Sequence, residues 1–486
     1  MTHPIFSELS ISVDRGWNGV VGPNGSGKTT FLELAAGILE PELGSVSRPD
    51  DMAFCHQRTD TPSDLIRQFL DASDGEAWRL RGILCIEYDW LDRWNTLSHG
   101  ERKRMQIGSC LWRAPQMLVV DEPTNHLDSQ ARNQVAQALE TFSGLGLLVS
   151  HDRDLLDNLC HNTVFIRPGS AENRSGSYTG AAEQIRAEME RERERYRIEK
   201  KNLERLRREE VRRRELAAHQ QVRRSKRGIP IHDHDARFKK NRARISGKDG
   251  VGGKLLRQMD GSIRQAEDRL SSIRLGKIGK SGITIATELV KSDAICRLEE
   301  TRIPLGDVRS LSIPALTVGP RSRIGIVGPN GSGKSTLVSR IVNTLTLGPD
   351  AYVYIPQEIS MAETEELHLQ LRRMTKTELG HAMSAVSRLG SAAGRVIESA
   401  AMSPGETRKL LLAMGIARSP ALVVMDEPTN HMDLPSIESI ERAISETICA
   451  LLLVSHDRRF LHSLVDEVWN LKRTGDDYTL ERKILP

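Results

Sequence analysis

The chain has 486 residues, a formal net charge of +4 and only 4% aromatic residues, a length at which two or more domains are expected. Its six cysteines (Cys55, Cys85, Cys110, Cys160, Cys296 and Cys449) form no CxxC pair, which argues against a disulfide framework or a zinc site and favours a reducing compartment. The start, MTHPIFSELSISV, lacks a basic stretch before an apolar core, and no run approaches the ~20 apolar residues that span a bilayer, so a cytoplasmic protein with no membrane segment is expected.

In chain order, a β-like run, Asn18–Val21, leads into GPNGSGKT (Gly22–Thr29), which satisfies G-x-x-x-x-G-K-[ST]. Gly22, Gly25 and Gly27, with Asn24 among them, let backbone N–H groups close around phosphate oxygens, and the following helix turns its positive end toward them. Lys28 would then reach the β- and γ-phosphates and the Thr29 hydroxyl would bind Mg²⁺, with Thr30 completing the loop. An ordinary glycine turn is the plain alternative. Further on, VVDEP ends an apolar strand with Asp121, placed to hold the metal shell, and Glu122, placed to orient or deprotonate attacking water. Capping of the next helix is a common use of such residues, but it explains neither the apolar run before them nor His151, which follows the next apolar run.

The segment Ala181–Arg227 has no Gly or Pro and is dominated by good helix formers. Gly180 and Gly228–Pro230 bracket it, predicting a helix roughly 70 Å long. Ile185, Met189, Tyr196 and Leu203 give it one apolar face, and Met259, Ile263, Ala266, Leu270 and Ile273 give a second helix another, as an antiparallel hairpin requires. Between them the basic, glycine-punctuated stretch Arg223–Lys254 would be the tip, with Phe238 alone for stacking. Glu183–Lys277 carries 29 Lys and Arg against 16 Asp and Glu, an excess of 13 that leaves −9 for the rest of the chain. A polyanionic partner fits that imbalance better than a merely solvated coil does.

Beyond it the first set of motifs returns. Ile326–Thr336 repeats the phosphate loop with Gly328, Asn330, Gly331, Gly333, Lys334, Ser335 and Thr336, and Asp426, Glu427 and His456 repeat the acidic pair and the histidine. The offsets are 306 from Lys28 to Lys334, and 305 from Asp121 to Asp426 and from His151 to His456, so two copies of one domain flank an insert. Within each copy apolar runs alternate with helix-like segments, the pattern of a mainly parallel sheet with helices on its faces. The expected fold is α/β: two P-loop nucleotide-binding domains, 1–180 and 278–486, joined by an α-helical hairpin linker, 181–277.

The order of phosphate loop, Gln, LSHGE or MSPGE, DEP and His resembles the ATP-binding cassette (ABC) superfamily, and DEPTNHLD (Asp121–Asp128) resembles its family F (ABC-F), tandem cassettes that work on ribosomes. The resemblance covers nearly the whole chain. It implies ATP clamped head to tail between two copies, within one monomer. Gln57 and Gln357 would sense the metal and γ-phosphate, Ser403 and Gly405 would complete the site of Lys28, and Ser98 and Gly100 that of Lys334. His99 and Pro404 stand where the signature usually has its first glycine, and neither copy shows a convincing aromatic upstream of its loop for stacking on adenine. The resemblance further implies an ATPase using ATP and Mg²⁺, with the ribosome (rRNA and peptidyl-site tRNA) as partner. The linker would enter the exit site and reach toward the peptidyl-transferase centre, in translation or in antibiotic resistance. A DNA-associated ABC ATPase and the ATPase subunit of a membrane transporter are the alternatives.

Overall fold

The computed structural model describes residues 5–125, 127–224, 250–273, 293–306, 309–389, 403–430 and 432–485. Met1–Ala181 together with Ile278–Pro486 form one compact unit, and Ala182–Lys277 form another.

The first cassette contributes β1 (Gly16–Val21), β2 (Met52–Cys55), β3 (Met117–Asp121), β4 (Leu145–Val149), β5 (Cys160–Arg167) and β6 (Ser170–Ser175), in the sheet order β2-β3-β4-β1-β5-β6. β6 runs antiparallel to β5, and the other pairs are parallel. The second contributes β7 (Cys296–Leu298), β8 (Thr301–Leu305), β9 (Arg309–Ile313), β10 (Leu316–Val318), β11 (Arg323–Val327), β12 (Tyr352–Ile355), β13 (Leu422–Asp426), β14 (Ala450–Val454), β15 (Glu467–Thr474) and β16 (Asp477–Ile484). Its main sheet has the order β12-β13-β14-β11-β15-β16-β9-β8, and β7 pairs with β10 separately.

The central strands are apolar throughout because both their faces are covered. Along β13, Leu422 and Val424 pack into one core cluster and Val423 and Met425 into another, and each such burial contributes roughly 1.5–3 kcal/mol. The register fixes the chemistry's location. Val149 of β4 lies beside both Val20 of β1 and Asp121 of β3, and Val454 of β14 lies beside both Ile326 and Asp426. The phosphate loop, the acidic pair and the histidine therefore leave each sheet at one edge, the carboxyl ends of adjacent parallel strands.

The other unit is a helical pair. The first helix, Tyr178–Arg224, has 47 residues, and it starts ahead of the expected bracket at Gly180 because Ser177 accepts from Gly180 N–H through its side chain and from Ala181 N–H through its carbonyl. The second, Gly250–Ser272, begins inside the stretch expected as the tip. Leu203, Ile263 and Ala266 form the seam with Leu206 and Leu270. Leu206 was absent from the expected stripe, and Tyr196 and Met189 are only half-buried. Arg207 pairs with Glu267 at 2.7 Å and Arg214 approaches Asp260 at 3.9 Å. Seven residues up one helix match seven down the other, which makes the pair antiparallel. Lys226, Arg227 and Phe238 of the expected tip lie outside the described residues.

Candidate functional site

Gly22 follows β1 directly, and a Cβ there would stand 2.3 Å from the Ile166 carbonyl oxygen, so only glycine fits between loop and sheet. Gly27 and Gly333, at φ +96° and +91°, cap the helices Lys28–Ala35 and Lys334–Asn343 in the left-handed region. Lys28 Nζ donates to Gly22 O at 2.9 Å and Lys334 Nζ to Gly328 O at 2.9 Å, which folds each ammonium over its own loop. Desolvation lowers the pKa of both lysines against the pull of the nearby carboxylates. The glycines at 25 and 331 leave open space on the outer side of each loop.

The two acidic pairs are buried. Desolvation and then the neighbouring Glu122 push Asp121 up to about 6, and desolvation pushes Glu122 and Glu427 up to about 7. Glu122 and Glu427 both sit at φ +47°, a left-handed conformation that costs a non-glycine residue about 1–3 kcal/mol and recurs at functional positions. The turn tucks the backbone N–H of Glu122 onto Val149 O and that of Glu427 onto Val454 O, each at 2.9 Å. His151 Nε2 lies 3.0 Å from Glu122 Oε1, and His456 Nε2 lies 3.4 Å from Glu427 Oε1. Desolvation, then the lysine of the adjoining loop, lowers both imidazoles to about 3. The histidines are therefore neutral and able to donate a hydrogen bond from one ring nitrogen.

Gln57 and Gln357 are exposed, two residues beyond β2 and β12. Each stretch is held by a basic residue that the motif reading missed. Lys103 Nζ donates to His56 O at 2.5 Å and to Asp121 O at 3.0 Å, and Arg408 donates to Gln357 O and Asn430 O. Both are buried and both stand five residues after a signature serine, a shared spacing that could have flagged them. The serines themselves are helix caps. Ser98 Oγ accepts from Glu101 N and contacts Glu101 Oε2 at 2.8 Å, and Ser403 makes the same capping box with Glu406.

The cassettes meet through these motifs. A cavity of about 630 Å³ joins Ser98, Gly100 and Arg132 of the first cassette to Gly331, Gly333, Lys334, Ser335, Thr336, Gln357, Asp426, Glu427 and His456 of the second. Asp128 Oδ2 accepts from Asn330 N at 3.4 Å, and reciprocally Asp433 Oδ2 accepts from Asn24 N at 2.6 Å. Around the first acidic pair, Gln57, His99, Lys103, Glu122 and Asn125 line a cavity of about 370 Å³. Ser403 and Gly405 head the helix Pro404–Ala417, directly after residues outside the described set. Thr29 and Thr30 open the helix Lys28–Ala35 beside Lys28. Salt bridges extend the seam: Arg153 to Glu441 at 2.9 Å and Arg459 to Asp154 at 2.6 Å. The last two stand at equivalent places in the repeat, so the seam's pseudo-dyad passes close to them.

One aromatic escaped the sequence reading. The Phe6 ring lies over the first loop, where a Cβ on Gly27 would stand 2.9 Å from Phe6 Cζ, and it packs edge-on against Phe31. Leu305 occupies the matching position against Gly333.

The ABC transporter family model matches residues 6–125 and again 311–430. The ribosome protection protein VmlR of Bacillus subtilis is 28% identical over 490 residues, covering 97% of this chain and 84% of that protein. The tylosin resistance ATP-binding protein TlrC of Streptomyces fradiae is 26% identical, covering 94% and 92%. The chain is a tandem ATP-binding cassette protein. This cassette pair is an ATPase, and its fold is shared with a solved RNase-L Inhibitor (TM-score 0.62, 18% identity, 97% of this chain and 87% of that one) and with the archaeal ribosome recycling factor aABCE1 in complex with the stalk protein aP1 (TM-score 0.61, 18% identity, 97% and 87%). Among the described residues of this tandem cassette protein, no helix is long and apolar enough to cross a membrane.

Proposed function

We propose that the two cassettes close around two ATP, that the closed protein binds the ribosome at its exit site, and that the linker 181–277 then acts on peptidyl-site tRNA or the peptidyl-transferase centre until hydrolysis releases it. The observation that carries this reading is the reciprocal contact of Asp433 with the Asn24 loop and of Asp128 with the Asn330 loop. Each phosphate loop is thereby sensed by the opposite cassette, which is what coupling of nucleotide state to closure requires. The basic excess of the linker supports a phosphate-rich partner, and relatives named for ribosome protection and tylosin resistance support the ribosome as that partner and drug resistance as one outcome.

In this reading the loops at Gly22–Thr30 and Gly328–Thr336 hold the triphosphate, with Lys28 and Lys334 neutralising it. Signature residues Ser403 and Gly405 face the first nucleotide, and Ser98 and Gly100 the second, through helix N-termini. The chemistry of the donors fits a hard cation: Asp426 Oδ1 is buried without a hydrogen-bond partner, and Ser335 is hydrogen bonded to the same carboxylate group. Thr29, Gln57 and Asp121 in one site, and Ser335, Gln357 and Asp426 in the other, would hold Mg²⁺, which would supply charge neutralisation to the bound triphosphate. Glu122 and Glu427 orient water and take its proton, and His151 and His456, kept neutral, fix those carboxylates.

Changing Glu122 and Glu427 together to Gln keeps ATP binding and removes the base. The double variant is expected to sediment with ribosomes in ATP, with turnover reduced at least 100-fold. Normal release of that variant from ribosomes, at full ATP occupancy, overturns the reading. Retention on double-stranded DNA in place of ribosomes would favour the DNA-associated alternative.

A further inference from the structure

The two composite sites are not built alike, and one difference between them is a single side chain. Arg132 lies one turn into the helix Ser129–Glu140, four residues after the Asp128 that reaches the opposite loop. Its side chain is 17% exposed. Nε donates to Leu127 O at 3.1 Å, Nη1 donates to His456 O at 3.3 Å, and Nη1 stands 3.7 Å from Asp152 Oδ2. The same guanidinium lines the cavity that contains Lys334, Glu427 and His456. One planar fork therefore ties together the Asp128 loop, the residue after His151, and the backbone of the histidine that serves the other site. In the repeat, the place of Arg132 is taken by Ile437, which is 1% exposed and belongs to the second cassette's own core. The equivalent position offers no cation to the Lys28 site.

We propose that Arg132 is a positioning residue acting across the cassette seam on the Lys334–Glu427 site alone, so that hydrolysis there depends on the first cassette in a way that hydrolysis at the Lys28–Glu122 site does not depend on the second. By gripping the His456 carbonyl it sets the loop from which the imidazole meets Glu427, and its charge stands beside that carboxylate. Its link to Asp152 makes the grip sensitive to the loop that carries His151. The coupling thus runs from the first site to the second. This rests on the reading of Glu427 as the base of its site.

The test is single-turnover hydrolysis of bound [γ-³²P]ATP by full-length protein, in which a slow site is still read. R132A is placed in the E122Q background, where the Lys334 site remains, and in the E427Q background, where the Lys28 site remains. The expected result is a roughly tenfold fall in the rate constant in the first background, with the ATP concentration for half-maximal rate changed less than twofold, and a loss at least fivefold smaller in the second. R132K, which keeps the charge but not the fork, should recover part of the rate without recovering wild type. Equal losses in the two backgrounds, or a rise in half-saturating ATP that accounts for the whole effect, overturn the proposal. If E427Q alone leaves the Lys334 site at full rate, the underlying reading of Glu427 fails instead. Circular-dichroism melts of both variants separate these results from misfolding, and if R132A is unfolded the comparison of backgrounds is made with R132K.

Discussion

The Lys28 site and the Lys334 site come from a duplicated string of motifs and differ in how tightly each part is held. At the first site the histidine is closer to its glutamate, 3.0 Å against 3.4 Å, and the opposing aspartate is closer to the loop, 2.6 Å against 3.4 Å. The second site has what the first lacks, the Arg132 grip on His456 O. Duplication kept the lysines, acidic pairs and histidines and let the side chains that hold them diverge, because many side chains hold a strand end equally well.

Removing the histidines should break this comparison most strongly. H151A is expected to slow single-turnover hydrolysis about 100-fold, the low end of what a general base itself contributes, and H456A, which stands farther from its glutamate, about tenfold. Equal losses would mean that the 0.4 Å difference has no consequence. The aspartates should separate the sites next. D433A removes a short charge-assisted bond to the Asn24 N–H, and D128A removes a longer one to Asn330. Each also uncaps a helix, at a cost of about 1 kcal/mol. Titration with a fluorescent ATP analogue should show affinity falling about fivefold in D433A and less than twofold in D128A. The smallest effect belongs to the Asp154–Arg459 pair, whose side chains are 44% and 35% exposed and so are largely screened. D154A should lower stability by about 0.5 kcal/mol in urea unfolding, a small loss because Arg459 keeps its second carboxylate, Asp157, at 2.7 Å.

Much of this architecture could be read without coordinates. Two glycine loops, two DEP strings and two SHD strings at offsets of 306, 305 and 305 dictate two mainly parallel sheets, and the Gly- and Pro-free charged run dictates a long helix. What escaped depends on contacts between residues far apart in sequence. The left-handed backbone of Glu122 and Glu427 has no signal in DEP itself, since any residue is forced there by the strand beside it. Lys103 and Arg408 read as ordinary helix charges until their burial against carbonyl oxygens is seen. Phe6 was passed over as an aromatic for stacking, and among the described residues its ladder partner is a single bridge to Gly169. The signature serines show the converse: their S-x-x-E spacing spells a capping box in plain sequence, a structural duty that the motif reading had overlooked.

The meeting of Asp154 with Arg459 has an evolutionary corollary. These residues descend from one ancestral position, so the mating of two identical halves would set carboxylate against carboxylate or guanidinium against guanidinium. Once one half had turned acidic and the other basic at that point, each became a worse mate for its twin and a better one for its sibling. Divergence after gene duplication thereby favours self-contained closure over pairing between separate molecules.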